Sequence, residues 1–378
     1  MKILYTIAGL YRPAGMERIL TSKANYLAGH GHEVIIVTTE QKNRPVAFPL
    51  HESIRCMDLG IGYEDNNGAS AWNKLVHYPK KQRRHRKALM AMLFQERPDI
   101  TVSLFCGDES FLPSIKDGSK KVLEVHFSRF KRLQYGRTGL WGLIDRYRSR
   151  KESRIVTRFD RFVTLTEEDY NNWGAPKNAL VIPNFLEHMP ERAASLDSKV
   201  VLAVGRFTYQ KAFERLIESW SIVINRHLHG RSGGWKLHLV GAGELKFALQ
   251  KRIDDLGITE YAKLLEPTDK IDAVYRKASI FALTSRYEGL PMVLLEAQSY
   301  GIPAVSFDCQ CGPRDVITDG EDGLLIAQGD TESFAQALVK LIQNDTLRQQ
   351  MGAAAHKNAS RWDKDTIMKQ WTNLFENI

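Results

Sequence analysis

The feature that most restricts this chain is an alternation of two periodicities, repeated almost from end to end. "KILYTIAG" is apolar at nearly every position, as a strand covered on both faces of a parallel sheet must be. "ERILTSKANYLAGHG" then places apolar residues at helical spacing, and "EVIIVTTE" reads as a second buried strand, completing a βαβ unit. "DITVSLF", "KKVLEVHF", "RFVTLT" and "ALVIPN" continue the strand series. After Asn184 the pattern stops for "FLEHMPERAASLDS", a polar stretch with Pro190 that reads as a linker. It restarts with the strand "KVVLAVGRF", the helix "AFERLIESWSIVINRH" and the strand "WKLHLVGAG", and runs on through "AKLLEP", "IFALTS", "PAVSF" and "GLLI".

The spacing predicts two doubly wound α/β domains, residues 1–190 and 198–360. A C-terminal helix over about 361–378 has no place in the second sheet and is expected to pack back on the first domain. Ligands of such sheets bind at the carboxyl ends of the strands, so the cleft between the domains is the expected site.

The bulk numbers agree with this class. A length of 378 residues favours two or three domains, and 43% apolar residues suffice to build their cores. The first apolar run is broken too soon by Gly, Arg and Pro to be a signal or a spanning helix. No other segment approaches the roughly 18 uncharged apolar residues of a membrane span. A cytoplasmic protein is expected, with attachment to a membrane surface left open. Cys56, Cys106, Cys309 and Cys311 read as free thiols, because Cys309-Gln-Cys311 lacks the second ligand pair of a zinc site.

The net charge of +9 is concentrated in the first half. From Arg129 to Arg161 there are eleven Lys or Arg against three acids, a balance of +8, and "KKQRRHRK" at 80–87 adds six more cations. Such runs suit an anionic partner, although a solvated helix face has the same appearance.

Two places concentrate groups that suit an anionic, hydroxyl-rich ligand. After "VVLAV" come Gly205, Arg206 and, five positions on, Lys211, just ahead of a helix. Glycine permits close backbone approach, a helix N-terminus favours an anion, and two cations neutralise a diphosphate. The spacing is not a Walker loop, and two surface cations would look the same. The second place is "SRYEGLPMVLLEAQSYGIPAV", from Ser285 to Val305. Pro291 suits the first position of a helix, which puts Gly289 and Leu290 at its start and Glu288 in the preceding turn. Backbone N–H groups there favour phosphate, so the Glu288 carboxylate is expected to face hydroxyls or a cation. Glu296, inside the helix, needs hydrogen bonds or a charged partner. A vicinal diol such as a ribose would supply the first, and a nearby Lys or Arg the second.

At this point the residues carry a resemblance. "EGLPMVLLE" resembles the Glu-x7-Glu signature of the retaining, GT-B-fold glycosyltransferases of family 4. "GRFTYQK" is similar to that family's Gly-Arg-x4-Lys turn, Ile182-Pro183-Asn184 to the strand end before it, and Asp319 to Leu325 to a later Asp-Gly element. The motifs stand in family order over essentially the whole chain. The resemblance implies a GT-B fold of two Rossmann-like domains facing each other across a cleft, an acceptor-binding N-terminal domain and a nucleotide-sugar-binding C-terminal one. It implies transfer of a hexose or N-acetylhexosamine, with retention, from a nucleotide-diphosphate sugar in cell-surface polysaccharide or glycan synthesis. No cofactor or metal is expected.

Carried over by position, Arg206 and Lys211 would hold the diphosphate beside Gly205, and the Gly289-Leu290-Pro291 turn would complete the cradle. Glu296 would take the ribose hydroxyls and Glu288 the donor sugar. His126, in "EVHFS", matches the family's histidine near that sugar, although a lone histidine after a strand is more often structural. Gly15 lies in "PAGMER", which resembles the family's Gly-Gly-x-Glu-Arg turn facing donor and acceptor. Glu288, His126, Arg206 and Lys211 would form the catalytic set. Two departures concern loop geometry: Ala14 stands where the first glycine of that turn is usual, and Ala212 follows Lys211 where glycine is common. "CGPRDVI", from Cys311 to Ile317, resembles variants in enzymes that use UDP-linked hexoses or N-acetylhexosamines. The basic first half suits a lipid-diphosphate acceptor at the inner membrane face, with a soluble glycan as the alternative.

Two other readings compete. A nicotinamide-dependent Rossmann oxidoreductase would use Glu40 at the end of the second strand, but "GLYRPAG" breaks the glycine spacing and Gly241-Ala-Gly243 is only a fragment of it. A non-enzymatic nucleic-acid binder would use the basic run with Tyr135, Trp141 and Tyr147, but leaves Glu288 and Glu296 without a purpose, so no nucleic-acid partner is expected.

Overall fold

The apolar runs form two parallel sheets. The computed structural model describes residues 1–66, 71–131, 139–228 and 233–378. Tyr135 and the basic positions Arg132 and Arg137 lie outside the described residues, as does the side chain of Trp141. The chain divides into a first unit of Met1–Asn184 with Ile367–Ile378, and a second of Phe185–Thr366.

The sheet of the first unit contains β1 (Lys2–Ile7), β2 (Glu33–Thr38), β3 (Arg55–Asp58), β4 (Ile100–Ser103), β5 (Lys120–Glu124), β6 (Arg161–Thr164) and β7 (Ala179–Val181), in the order β3-β2-β1-β4-β5-β6-β7. Its helices are α1 (Gly15–Gly29), α2 (Ala71–Glu96), α3 (Gly139–Val156) and α4 (Glu167–Asn172). Leu4, Ile35, Leu93, Leu123, Phe162 and Trp173 belong to one apolar cluster of the core. β3 was not expected from the sequence. "RCMD" is polar and largely exposed, and it pairs in register with β2 while Arg55 bridges Glu33 and Glu96.

The basic runs fall mainly on α2 and α3, where Arg83, Arg84, Arg86, Arg146, Arg148 and Arg150 are exposed. Arg129 is different: it is buried, donates to Ser149 and Ser153, and stacks over Trp173 at 4.5 Å. One cation of the run therefore belongs to the interior.

In the second unit, residues 185–198 are irregular, and then β8 (Val200–Val204), β9 (Lys236–Val240), β10 (Ala262–Leu265), β11 (Ile280–Leu283), β12 (Ala304–Phe307) and β13 (Gly323–Ile326) form a sheet ordered β10-β9-β8-β11-β12-β13. The helices are α5 (Phe213–Ile222), α6 (Lys246–Asp255), α7 (Ile271–Arg276), α8 (Met292–Ser299), α9 (Pro313–Val316), α10 (Thr331–Gln343) and α11 (Asp345–Asn358). The core gathers Phe207, Trp220, Leu239, Phe307, Phe334 and Leu338. α12 (Lys364–Glu376) follows, and from Ile367 its residues belong to the first unit, where Lys23 of α1 lies 3.5 Å from the Trp371 ring centroid.

Counted from the first strand of each unit, both sheets share the order 3-2-1-4-5-6, and the first carries β7 as a seventh strand beyond it. The order reverses between β1 and β4, and between β8 and β11. At such a switch point the loops leave in opposite directions and open a crevice at the strands' carboxyl ends.

Candidate functional site

The second unit brings its sequence-predicted residues to that reversal. Gly205 and Arg206 follow β8, and Tyr287, Glu288 and Gly289 lie in the loop after β11, the strand paired with β8. A Cβ on Gly205 would stand 3.2 Å from Lys211 Cε, so the glycine lets the lysine stem lie against the turn. Arg206 is exposed, and among the described residues its guanidinium has no ion pair. Gly241 and Gly243, which looked like a dinucleotide fragment, have a packing role. A Cβ on Gly241 would fall 1.9 Å from Gly205 O, and one on Gly243 would fall 2.4 Å from Phe207 O. They let the end of β9 pass the Gly205–Phe207 turn.

Lys211 Nζ lies 2.7 Å from Glu288 Oε1, with only 14% and 7% of the two side chains exposed. The Glu288 carboxylate therefore faces a cation, one of its two expected surroundings. Gln210 supports it, donating from Nε2 to Tyr287 O at 3.0 Å and to Glu288 Oε2 at 3.4 Å. Arg286 clamps the two loops, donating to Tyr209 O and Glu214 while its own N–H reaches Gln210 O. Neither Gln210 nor Arg286 was singled out in the sequence; the only signal was their adjacency to the two motifs.

Ala212, the departure from glycine, keeps a left-handed backbone at φ 49° and is the residue that precedes α5. Such strain costs on the order of 1–3 kcal/mol and is held here by Thr284, which donates to the carbonyls of Lys211 and Ala212. The loop survives the substitution.

α8 begins one residue later than expected. Pro291 is its N-cap at φ −75° and ψ 93°, and Met292 is the first helical residue, because the extended ψ of Pro291 takes it out of the helix. No side chain caps this end; Leu294 N–H turns back to Pro291 O, so the N–H groups of Met292 and Val293 are the ones left for an anion among the described residues. The Gly289–Pro291 turn rests against the loop of the "CGPRDVI" segment: Glu288 N–H donates to Gln310 O at 3.3 Å, and Gly312, at φ +98°, has no room for a Cβ beside Pro291 Cδ.

Glu296, one turn into α8, is partly buried and accepts from the Tyr275 hydroxyl at 2.7 Å. Tyr275 is itself stacked on Tyr300 at 5.3 Å, and Tyr300 donates to Asp272. An aromatic pair from α7 and the end of α8 thus orients this carboxylate. The sequence offered no signal for it.

Gly15 and His126 belong to the first unit. Gly15 is the first residue of α1, exposed, with open space where a Cβ would be. His126 follows β5, and its Nε2 lies 2.9 Å from Glu124 Oε1. Burial alone would raise the Glu124 carboxyl, but Lys23 and His126 hold it down at about 2. Glu40, the acid a dehydrogenase would need, is buried and accepts the backbone N–H groups of Tyr63 and Glu64. That carboxylate is occupied by the fold.

The residues match two family models: "Glycosyltransferase Family 4" over residues 13–188 and "Glycosyl transferases group 1" over residues 184–358. The amylovoran biosynthesis glycosyltransferase AmsD of Erwinia amylovora is 37% identical over 225 residues, a match covering 57% of this chain and 62% of AmsD. An uncharacterized glycosyltransferase of Haemophilus influenzae is 26% identical over 99% of both chains. Among solved structures, that of a Staphylococcus aureus TarM variant in complex with fondaparinux, alpha-GlcNAc-glycerol and UDP superposes with a TM-score of 0.77 at 16% identity, over 100% of each chain. With two Rossmann-like units, motif residues at the β8/β11 reversal and both family models matched in order, the chain has the GT-B fold and belongs to the glycosyl transferases group 1 family.

Proposed function

We propose that this protein is a glycosyltransferase that moves a hexose or N-acetylhexosamine from a nucleotide-diphosphate sugar, a UDP-sugar by preference, to a glycan or lipid-linked acceptor with retention of anomeric configuration. The observation that carries the reading is the Lys211–Glu288 pair, with Arg206 in the same turn as Lys211 and the uncapped N-terminus of α8 following Glu288. Gly205 packs on the Lys211 stem, Glu288 holds the Lys211 ammonium, and the turn that carries Glu288 leads into α8. The UDP in the TarM complex and the glycosyltransferase names of the relatives support it.

In this reading Arg206, Lys211 and the N-terminus of α8 neutralise the diphosphate as it leaves, so the charge that develops in the transition state meets fixed partners and the step needs no metal ion. Glu288 holds a donor-sugar hydroxyl and releases Lys211 to the phosphate. Glu296 accepts the ribose hydroxyls, with Tyr275 fixing its second oxygen. The departing phosphate takes the acceptor proton on the same face of the sugar. Gly15 and His126 take the family's places near donor and acceptor. No helix among the described residues is long and apolar enough to cross a membrane; docking of the basic α2 and α3 faces on an anionic inner membrane surface is part of the proposal.

The test is calorimetric titration of the purified protein with UDP, GDP, ADP, NAD and a short single-stranded oligonucleotide, repeated on Arg206→Ala. Binding of one nucleoside diphosphate that is lost in the variant is the expected result. Binding of NAD alone would return the dehydrogenase, and salt-sensitive oligonucleotide binding alone would make the basic surface the function.

A further inference from the structure

A charged pair is sealed inside the first unit directly behind His126. Lys23, on α1, and Glu124, the last residue of β5, have side chains 2% and 1% exposed, with Nζ 2.5 Å from Oε1. The Trp371 ring of α12 covers the ammonium from 3.5 Å, and burial, then the Glu124 charge, raises the hydroxyl pKa of Tyr5 of β1. Burial draws the Lys23 pKa down while Glu124 opposes it. A pair in this setting is a poor stabilising device, since desolvation offsets its attraction and an apolar pair of similar volume does as well. Its presence calls for another role.

The same oxygen that binds Lys23 also lies 2.9 Å from His126 Nε2. Two lone pairs at that distance repel, so the separation is attractive only with the proton on Nε2. The ring's N–H is bent away from the line to Oε1, and neither Nε2 nor Glu124 Oε2 has an aligned hydrogen bond among the described residues. Such misalignment is common in site residues whose contacts tighten on substrate binding.

We infer that Lys23 and Glu124 are a buried positioning pair that holds the ring of His126, itself only 6% exposed, in its Nε2-protonated tautomer. The inference deepens the glycosyltransferase reading and rests on it for the role of His126. Glu124 and Lys23 touch no substrate; they act through the histidine, as the carboxylate behind a site histidine does elsewhere. The competing explanation is a staple that ties α1, β5 and α12 together and has no part in turnover.

The two differ when the charge is removed without leaving a void. Glu124→Gln alone leaves the Lys23 ammonium buried without its partner and can unfold the chain. Lys23→Met/Glu124→Gln keeps volume and neutrality, so its melting temperature is expected near that of the unmodified protein. Two readouts follow. The first is the 15N spectrum of the histidine ring nitrogens, with His126 assigned by its loss in His126→Ala. It is expected to show an Nε2-protonated ring that becomes a tautomer mixture in the double variant. The second is turnover with the nucleotide sugar, expected to fall about 100-fold, the scale of a misplaced catalytic group, with a much smaller change in donor KM. In the His126→Ala background the same double change is expected to cost under about 2-fold, because the coupled partner is already gone.

A double variant with full turnover, or with the tautomer unchanged, would overturn the inference and leave the staple. If no nucleotide sugar is turned over by the unmodified protein, the functional reading fails instead, and the 15N spectrum still decides whether the pair sets the tautomer.

Discussion

Lys211 Nζ and Glu288 Oε1 stand 2.7 Å apart although 77 residues separate them, one entering from the turn after β8 and the other from the loop after β11. In this pairing each side chain holds the other in place. Among the described residues Arg206 has no counter-ion. Arg206→Ala is therefore expected to reduce turnover about 100- to 1000-fold, the usual cost of one preorganised charge partner, while leaving the melting temperature nearly unchanged because the side chain is exposed. Steady-state rates and a thermal melt on the same sample check both halves; a large loss of stability would instead assign Arg206 to the fold.

Tyr275 and Glu296 give a second, graded expectation. Glu296→Ala should impair nucleotide-sugar use in a folded protein. Tyr275→Phe removes a hydrogen bond to a charged oxygen, worth about 1.5–3 kcal/mol, and should weaken nucleoside diphosphate binding by roughly 10-fold or more without touching the ligand itself. Calorimetry on both variants tests the order, and full binding in Glu296→Ala would end the ribose assignment.

Gly312 carries no charge and touches the cradle only through backbone. Its φ of +98° suits glycine, and a Cβ would press on Pro291 Cδ at 2.5 Å and Gly289 O at 2.9 Å. Gly312→Ala should cost about 1–3 kcal/mol of stability and shift the Gly289–Pro291 turn, so donor KM rises as well. An unchanged KM in the destabilised variant would show that the turn tolerates displacement.

Glu109 sets a pH dependence. Burial, and then neighbouring Asp108, push its carboxyl from an ordinary 4.5 up to about 7. The folded protein therefore keeps a proton that the unfolded chain releases, so the stability this group contributes is complete below about 4.5 and is lost as pH rises to about 7. Glu109→Gln is expected to flatten the melting temperature across that window. Parallel pH profiles for the two proteins would remove the assignment.

The exposed arginines of α3 test the proposed docking. Each basic residue near an anionic bilayer contributes about 1 kcal/mol, so replacing Arg146, Arg148, Arg150 and Arg154 by Ser should lower partitioning onto anionic vesicles by roughly 100-fold or more. Nucleoside diphosphate affinity should not move, since these residues lie in the first unit and the cradle residues in the second. Equal vesicle sedimentation and acceptor KM in the two proteins would leave these arginines as a solvated face.

What was legible in the sequence follows from local physics. Strands buried on both faces must be apolar throughout, so the parallel class and nearly all strands could be read directly, and Gly205, Arg206, Lys211 and Glu288 could be placed on turns beside helix starts. β3 escaped because an exposed edge strand needs no apolar pattern. α11 escaped because its first half is polar, and its start is set by Asn344, which closes α10 and caps α11. Even where motifs were visible, their partners were not. That Lys211 would meet Glu288, that Tyr275 would hold Glu296, and that Lys23 would sit behind His126 against a glutamate 101 residues away depend on strand order. Periodicity reports which face of an element is buried, whereas the neighbour on that face is chosen only when distant segments pack. The chain alone thus determined its elements and the chemistry it could offer; the tertiary structure decided which charges meet.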